Sequence, residues 1–212
     1  MADRDIDDRL AFWLAGPSFA QIEIARATGF RRIVLEVEHG AFGTLGLDRA
    51  TAYATSLGFA VFAKVLGPEP VPIMQALDFG ADGVIVPHIE DAAHAAQVTR
   101  WAKYPPLGKR SFAGGRTVGY GAPGADYFQG ENRRTQCLPM VETAAALADL
   151  AAILALPTVD GVFVGPSDLS LDRGRGAYRQ TEADARDLTA IALAARAAHK
   201  PWVMPAWTSA ER

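Results

Sequence analysis

Short apolar runs alternate with longer amphipathic segments from one end of the chain to the other. The short runs have the length of buried β-strands, and the amphipathic segments have the length and period of α-helices. This alternation is typical of a parallel sheet whose strands are joined by crossover helices. We predict strands at 10–14, 32–36, 60–64, 83–87, 136–140, 161–164 and 202–204, and helices at 19–28, 47–57, 71–79, 92–101, 144–155 and 181–199.

The predicted strands are almost continuously apolar, as in Val84-Ile85-Val86. Such strands indicate a sheet that is covered on both faces. A (β/α)8 TIM-type barrel fits this pattern, and its active site would lie at the carboxyl ends of the strands. Only seven strands can be counted, and the seven residues after Pro205 are too few for a further unit, which needs about 30. We therefore expect the eighth βα unit to be missing from this chain, either because a partner completes the barrel or because the natural protein is longer.

Composition narrows the class of protein. With 212 residues, half of them apolar, the chain can bury one large core, and we predict a single domain over 1–212. The net charge of −3 lacks the basic surplus of nucleic-acid-binding proteins. The single cysteine, Cys137, lies in a predicted strand and favours a buried thiol in a reducing cytoplasm. The acidic start is not a secretory signal, and the most apolar helical stretch, 144–156, is too short and carries Asp149, so no membrane span is predicted.

The segment 104–134 is rich in Gly, Pro and Arg and shows no regular period. Connections of this length inside a compact domain are usually functional or disordered. We interpret it as a segment that covers the substrate or contacts another subunit, in preference to a plain surface loop.

Two successive predicted strands end in carboxylates. Glu142 follows the apolar run 138–141, and Asp168 follows a strand that runs into a Gly-Pro turn, where free backbone amides can bind an anion. Neighbouring strands lie about 4.8 Å apart, so the two carboxylates can share one ion. Two carboxylates that leave coordination positions open suit Mg²⁺ or Mn²⁺. The sequence has no cluster of Cys and His residues, so a site for a softer metal ion is not supported. The alternative is that each carboxylate only caps the helix after it.

A histidine follows the second predicted strand. His39 is the candidate for proton transfer, because histidine exchanges protons in both directions near neutral pH. Glu36 lies on the same side of the strand as Glu38 and is predicted to orient the His39 imidazole, as the carboxylate of a catalytic triad does. The alternative is a hydrogen-bonded structural histidine.

Lys64 closes the third strand, and a buried ammonium group needs an anionic partner. We rank stabilisation of a substrate enolate first, a structural ion pair second and a Schiff base third. His88 stands next to Pro87, and we interpret it as a cap of the following helix and leave it out of the catalytic set.

Five motifs in order give the chain a resemblance to a known family. They are EVEHGAFG at 36–43, ALDFGADGVIVPHIE at 76–90, KYPPLGKRSF at 103–112, MVET at 140–143 and GVFVGPSDLS at 161–170. Together they resemble the class II oxo-acid aldolases of the HpcH/HpaI family over nearly the whole chain. The resemblance implies a (β/α)8 barrel, a homo-oligomer (trimer or hexamer) and a divalent metal, Mg²⁺, Mn²⁺ or Co²⁺, that is held by Glu142 and Asp168.

The resemblance also assigns roles to residues that bind the substrate. It implies that the turn at Gly165 and the amides of Ser167 and Asp168 receive the carboxylate of the oxo acid. Trp13 matches a tryptophan at the edge of the pyruvate site, and Met140 stands beside the metal where many relatives have glutamine.

The catalytic positions match the family with one departure. His39 matches the family's catalytic histidine, and Glu36 stands where relatives commonly carry aspartate. Lys64 replaces the family's usual arginine, which keeps the positive charge but loses the bidentate fork.

We therefore expect a metal-dependent aldolase or lyase that makes or cleaves the carbon–carbon bond between a pyruvate-type enolate and an aldehyde, with 4-hydroxy-2-oxo acids as substrates. The metal would act as a Lewis acid, and Lys64 would help to hold the negative charge that develops. One alternative is a citrate-lyase-like acyl-CoA lyase, whose nucleotide phosphates need a basic site such as Arg110, Arg116, Arg133 and Arg134. The other is a truncated, non-catalytic barrel kept for binding or assembly.

Overall fold

The computed structural model describes residues 9–208, which form a curled parallel sheet with helices on its outer face. Every neighbouring pair of strands is parallel, and the order in the sheet follows the order in the chain. The strands are β1 (Ala11–Leu14), β2 (Arg32–Glu36), β3 (Ala60–Lys64), β4 (Gly83–Val86), β5 (Gln136–Val141), β6 (Val162–Val164) and β7 (Trp202–Val203). The prediction of seven parallel strands is confirmed. Within the described residues β1 and β7 are the two edges of the sheet, and the absence of an eighth βα unit from this chain stays a prediction.

The helices fall where the amphipathic segments predict them, with some additions. They are α1 (Phe19–Ala27), α2 (Thr44–Ser56), α3 (Pro70–Asp78), α4 (Ala92–Val98), α5 (Tyr127–Arg134), α6 (Ala144–Ala148), α7 (Leu150–Ala155), α8 (Pro166–Asp172) and α9 (Glu182–Ala197). The helix predicted at 144–155 is divided at Asp149, and the helix predicted at 92–101 ends in a 3₁₀ turn, Thr99–Ala102. Neither α5 nor α8 was predicted. Within residues 9–208 no helix is long and apolar enough to cross a membrane.

Alternate residues of the strands face two separate cores, as the period of two requires. The larger core lies between the sheet and the helices and includes Leu35, Ala63 and Val164. The smaller core fills the concave side of the sheet. It consists of Val34, Phe62, Ile85, Leu138, Met140 and Phe163.

The position of Gly83 shows how closely the concave side is filled. A Cβ atom at Gly83 would lie 2.6 Å from the Phe62 ring, which is closer than real contacts allow. Glycine at this position therefore leaves room for the Phe62 ring, which projects inward from the neighbouring strand β3. The same inward-facing rows lead to polar residues at the carboxyl ends of the strands, where Glu36 and Lys64 stand opposite each other.

The segment 104–134 lies far from those carboxyl ends. It joins α4 to the start of β5, and it contains a 3₁₀ turn (Gly115–Val118) and α5. Tyr104, Phe112, Tyr127 and Phe128 pack edge to face within it. Because the segment packs on α3 and on the amino-terminal ends of the strands, the expectation that it covers a substrate in the same chain is wrong. Contact with another subunit stays a prediction.

Three of the four arginines of this segment, Arg110, Arg116 and Arg134, are ion-paired. Arg110 is fully buried and donates to Asp78 at 2.9 Å, while Arg116 lies 2.8 Å from Asp48 and Arg134 lies 2.6 Å from Asp82. Their charges are used to fix the segment to the sheet and the helices. This pairing gives less support to the basic site that an acyl-CoA would need.

Cys137 is completely buried in β5. Burial, aided by the nearby charge of Asp160, raises the pKa of this thiol to about 12. The prediction of a buried structural thiol is confirmed.

Candidate active site at the carboxyl ends of the strands

Glu142 is a buried carboxylate directly after β5. Its Oε1 accepts a hydrogen bond of 2.5 Å from the backbone N–H of His88. Burial raises the pKa of Glu142, and the negative charges of Asp168 and Glu38 raise it further. The helix that follows is capped by Thr143, whose hydroxyl accepts from the Ala146 amide, so the alternative of Glu142 as a helix cap is wrong.

Asp168 lies in the first turn of α8, on the neighbouring strand-to-helix connection. The turn before it is held against β5 by a hydrogen bond from the Gly165 amide to Val141. A Cβ at Gly165 would lie 2.9 Å from Oε2 of Glu142 and 3.0 Å from the Met140 methyl group. Glycine therefore leaves room for the Glu142 carboxylate beside the turn that carries Ser167 and Asp168. The structure brings together the predicted carboxylate pair and the predicted binding turn.

Lys64 ends β3 with its ammonium group between two carboxylates. Its Nζ lies 3.3 Å from Oε1 of Glu36 and also contacts Oε2 of Glu38. All three side chains are at least nine-tenths buried. A structural ion pair is the second-ranked role predicted for Lys64, and the structure shows it with two carboxylates, Glu36 and Glu38. Lys64 also lines the cavity described below, so one of its three donors can still reach a ligand.

His39 has the expected position but a different partner. Its ring is exposed, with 70% of the side chain accessible, and Nε2 lies 3.5 Å from Oε1 of Glu38. Glu36 accepts a hydrogen bond of 3.2 Å from the backbone N–H of His39 and does not contact the imidazole. The prediction that Glu36 orients this ring is therefore wrong, because Glu36 is the last residue of the strand and its carboxylate turns toward Lys64.

Two further residues belong to the cluster, and the sequence reasoning left both out of the catalytic set. Glu38 contacts Lys64 and lies 2.7 Å from the His88 ring. The prediction that His88 caps the following helix is wrong, because the N-cap of α4 is Asp91, whose side chain accepts from the His94 amide. Both residues could have been found from the sequence, because each lies two residues after the end of a strand, where site residues of a parallel sheet gather.

A cavity of about 650 Å³ opens beside these residues. It extends from the polar cluster to the two sheet edges, β1 and β7, and its apolar wall includes Trp13 and Phe163, whose rings are 5.8 Å apart. Glu142 adjoins it through Gly165. The predicted site residues that line it are Trp13, Glu36, His39, Lys64, Met140, Gly165, Ser167 and Asp168.

The donor set fits a hard divalent cation bound mainly by its substrate and water. Glu142 and Asp168 supply two carboxylates, and burial first and the negative charges of Asp168 and Glu38 after it raise the pKa of Glu142, so a cation beside it would be favoured. Among the described residues no group of three or more His, Cys, Asp or Glu side chains is arranged to hold a metal ion. Two carboxylates with further positions for water and substrate oxygens suit Mg²⁺-like ions and not a closed zinc site.

Comparisons with known proteins show which family the chain resembles over most of its length. The family model of the HpcH/HpaI aldolase/citrate lyase matches residues 9–203. The 2-dehydro-3,6-dideoxy-6-sulfogluconate aldolase of Pseudomonas putida is 34% identical over 76% of this chain and 63% of its own length. The hydroxypyruvate/pyruvate aldolase of Rhizorhabdus wittichii strain RW1 is 33% identical over 90% of this chain and 74% of its own length.

A solved structure shares the fold. The HpcH/HpaI aldolase/citrate lyase family protein from Burkholderia cenocepacia J2315 matches with a TM-score of 0.87 and 26% identity, over 98% of this chain and 83% of that chain. The present chain is thus shorter than these relatives, and it spans less than two thirds of the P. putida aldolase.

Proposed function

Because this chain belongs to the HpcH/HpaI aldolase/citrate lyase family, we propose that it is a metal-dependent aldolase. The proposed reaction makes or cleaves the carbon–carbon bond between a pyruvate-type enolate and an aldehyde, with a 4-hydroxy-2-oxo acid as the larger substrate. The observation that carries the proposal is the carboxylate pair, Glu142 and Asp168, beside a cavity that Lys64 and His39 also line. Relatives that are named aldolases support the reaction class.

Glu142 and Asp168 would hold the divalent cation, Mg²⁺, Mn²⁺ or Co²⁺. When bound, the cation would supply Lewis-acid polarisation of the keto group of the oxo acid. The buried position of Glu142 favours tight binding, because a cation there would compensate charges that now repel each other.

The oxo acid would be positioned by the turn after β6. The backbone amides of Ser167 and Asp168 would receive its carboxylate, since both residues are exposed in the cavity at the start of α8. Trp13 and Met140 would pack against its carbon chain. This arrangement directs the reacting carbon toward the open part of the cavity.

Lys64 and His39 would act at the reacting end. The remaining donor of the Lys64 ammonium group would stabilise negative charge on the enolate oxygen, while Glu36 and Glu38 keep that group fixed. His39 would take the proton from the aldol hydroxyl during cleavage and return it during condensation. Its exposed ring can exchange that proton with solvent.

A coupled assay tests the proposal. Purified protein with a 4-hydroxy-2-oxo acid should release pyruvate in the presence of Mg²⁺, Mn²⁺ or Co²⁺ and lose this activity in a chelator. Asp168→Asn should remove the activity, and Asp172→Asn is the matched control, because Asp172 lies in the same helix and bonds to a backbone amide instead. Activity that survives chelation and is trapped by borohydride at Lys64 would instead support a Schiff base.

The acyl-CoA lyase has less support from the structure. Three of the four arginines that it would use are paired with carboxylates, and two of those carboxylates, Asp78 and Asp82, lie toward the amino-terminal ends of the strands. Thermal-shift measurements with CoA thioesters and with simple oxo acids separate the two functions, and we expect a shift with the oxo acids alone. A purely structural role is disfavoured by the intact cluster of polar residues, and we propose that the enzyme works as a homo-oligomer.

A further inference from the structure

We propose that Glu38 and His88 form a positioning pair, which fixes Lys64 on one side of the site and Glu142 on the other. This inference rests on the proposed function. Neither residue is assigned to substrate or metal. Their contribution is the geometry of the two groups that would act on the oxo acid.

Glu38 is the residue on which the charged groups converge. Its side chain is only 7% exposed, although it lies in the connection after β2 and not in a strand. One carboxylate oxygen contacts the Lys64 ammonium group, and the other lies 2.7 Å from Nε2 of His88. The His39 ring is farther from the same oxygen, at 3.5 Å. The two oxygens of Glu38 are thus divided between Lys64 and His88.

His88 connects that carboxylate to the predicted metal ligand. Its Nε2 faces Glu38 at a distance suited to a hydrogen bond, while its Nδ1 lies 3.6 Å from Oε1 of Glu142, beyond hydrogen-bond length. Its backbone N–H donates to the same Oε1. The residue has a φ of 59°, in the left-handed region that non-glycine residues rarely adopt. Strained conformations of this kind persist where surrounding contacts fix them, and they cluster at functional sites. Here the conformation lets one residue bond to Glu38 with its ring and to Glu142 with its amide.

The pair determines where the free donor of Lys64 can point. An ammonium group has three donors, and Glu36 and Glu38 accept from two directions. Without the His88 ring, the second oxygen of Glu38 keeps only the longer approach of the His39 ring, at 3.5 Å, and the carboxylate can rotate with Lys64 still attached. We therefore expect the loss of the ring to misplace the donor at the enolate oxygen and to leave the binding of the ground-state oxo acid almost unchanged.

Replacing His88 by glycine tests this inference with little disturbance of the backbone. His88→Gly accepts the left-handed conformation and keeps the amide that bonds to Glu142, so it removes the ring alone. His199→Gly is the matched control, because His199 is also a histidine with positive φ, at 53°, but lies between α9 and β7 at the other end of the strands. Glu38→Gln breaks the same contact from the other side.

Three measurements are made on wild-type protein and on these variants. They are kcat and KM for cleavage of a 4-hydroxy-2-oxo acid, exchange of the pyruvate methyl protons with D₂O followed by NMR, and the rise in melting temperature with Mn²⁺. We expect His88→Gly to lower kcat and the exchange rate by about 10- to 100-fold, with KM within about threefold and the Mn²⁺ effect retained. His199→Gly should match the wild type.

The double variant provides the decisive comparison. If both residues act through one contact, His88→Gly combined with Glu38→Gln should be no slower than the slower single variant. The positioning role would be overturned if the fold-losses of the two single variants multiply in the double variant, or if His88→Gly keeps the kcat of an active wild type. Either result would leave the proposed function intact. If Glu38→Gln does not fold, the kcat and KM of His88→Gly still decide whether the positioning role holds. A wild type that neither cleaves nor exchanges would overturn the proposed function and the positioning role with it.

Discussion

Gly165→Ala introduces the smallest possible side chain next to the predicted metal ligand. The backbone permits alanine, since φ is −98°. The added Cβ would lie 2.9 Å from Oε2 of Glu142 and 3.0 Å from both the Cβ of Glu142 and the Met140 methyl group. Nonbonded heavy atoms prefer about 3.5 Å or more, so these neighbours must move by roughly 0.5 Å.

We expect that movement to lower the stability of the protein only slightly and to lower its catalytic rate strongly. Overpacking costs about 1–3 kcal/mol, and the lower end applies because two of the three atoms end flexible side chains. A loss of about 1 kcal/mol lowers the melting temperature of a chain of this size by about 2–4 °C. Misplacement of a reacting group by about 1 Å can reduce the rate by about 100-fold. We therefore expect a roughly 10- to 100-fold loss of kcat with a nearly normal melting curve.

The assay is pyruvate release at several Mn²⁺ concentrations, together with a thermal melt of the same samples. Gly130→Ala is the control, because its new Cβ would have no neighbour within 4 Å and it lies in α5, away from the site. This control should retain full activity and gain slightly in stability, since alanine is favoured over glycine inside a helix. A Gly165→Ala protein with wild-type activity and wild-type Mn²⁺ dependence would refute the reasoning.

Three further predictions concern the core and the buried charges. Lys64→Met should lower the free energy of unfolding by about 3–5 kcal/mol in urea titrations, because two buried carboxylates lose their cation; an unchanged midpoint would show that the ion pair is energetically neutral. Gly83→Ala should destabilise the protein by about 1–3 kcal/mol. Phe62→Leu in the same chain should restore only part of this, because the new Cβ clashes with the Phe62 ring and also with the backbone carbonyl oxygen of Gln136, at 2.9 Å. Cys137 should resist thiol reagents up to pH 9 in the native protein and react after denaturation; its raised pKa means that the neutral thiol stabilises the fold below pH 9 and that this contribution is lost as the pH rises toward about 12. Rapid labelling of the native thiol would contradict this last prediction.

The regular part of the fold could be predicted because its information is local. Each strand and each long helix has its own apolar period, and the alternation of the two fixes a parallel sheet. The two missed helices lack such a period. α5 begins at Tyr127 and is held by aromatic contacts with Tyr104, while α8 begins at Pro166, which looks like a turn residue but is also well suited to the first turn of a helix.

The positions of the candidate site residues could be predicted more readily than their contacts. Glu142, Asp168 and Lys64 lie at strand ends, and parallel strands necessarily bring such ends together. The partner of Glu36 and the contacts of His88 could not be predicted, because they depend on side-chain directions in irregular connections. A positive φ at a histidine and the rotation of a carboxylate toward Lys64 are set by tertiary contacts, and a single sequence carries no record of them.

The most direct test of the central claim is Mn²⁺ binding to the purified protein, followed by electron paramagnetic resonance or calorimetry. We expect one Mn²⁺ per chain in the wild type and in Asp172→Asn. We expect strongly weakened binding in both Glu142→Gln and Asp168→Asn, with melting temperatures in the absence of metal close to or above that of the wild type, because each substitution removes one of the repelling charges. Undiminished Mn²⁺ binding in these two variants, or no binding by the wild type, would contradict the assignment of this carboxylate pair as the metal site.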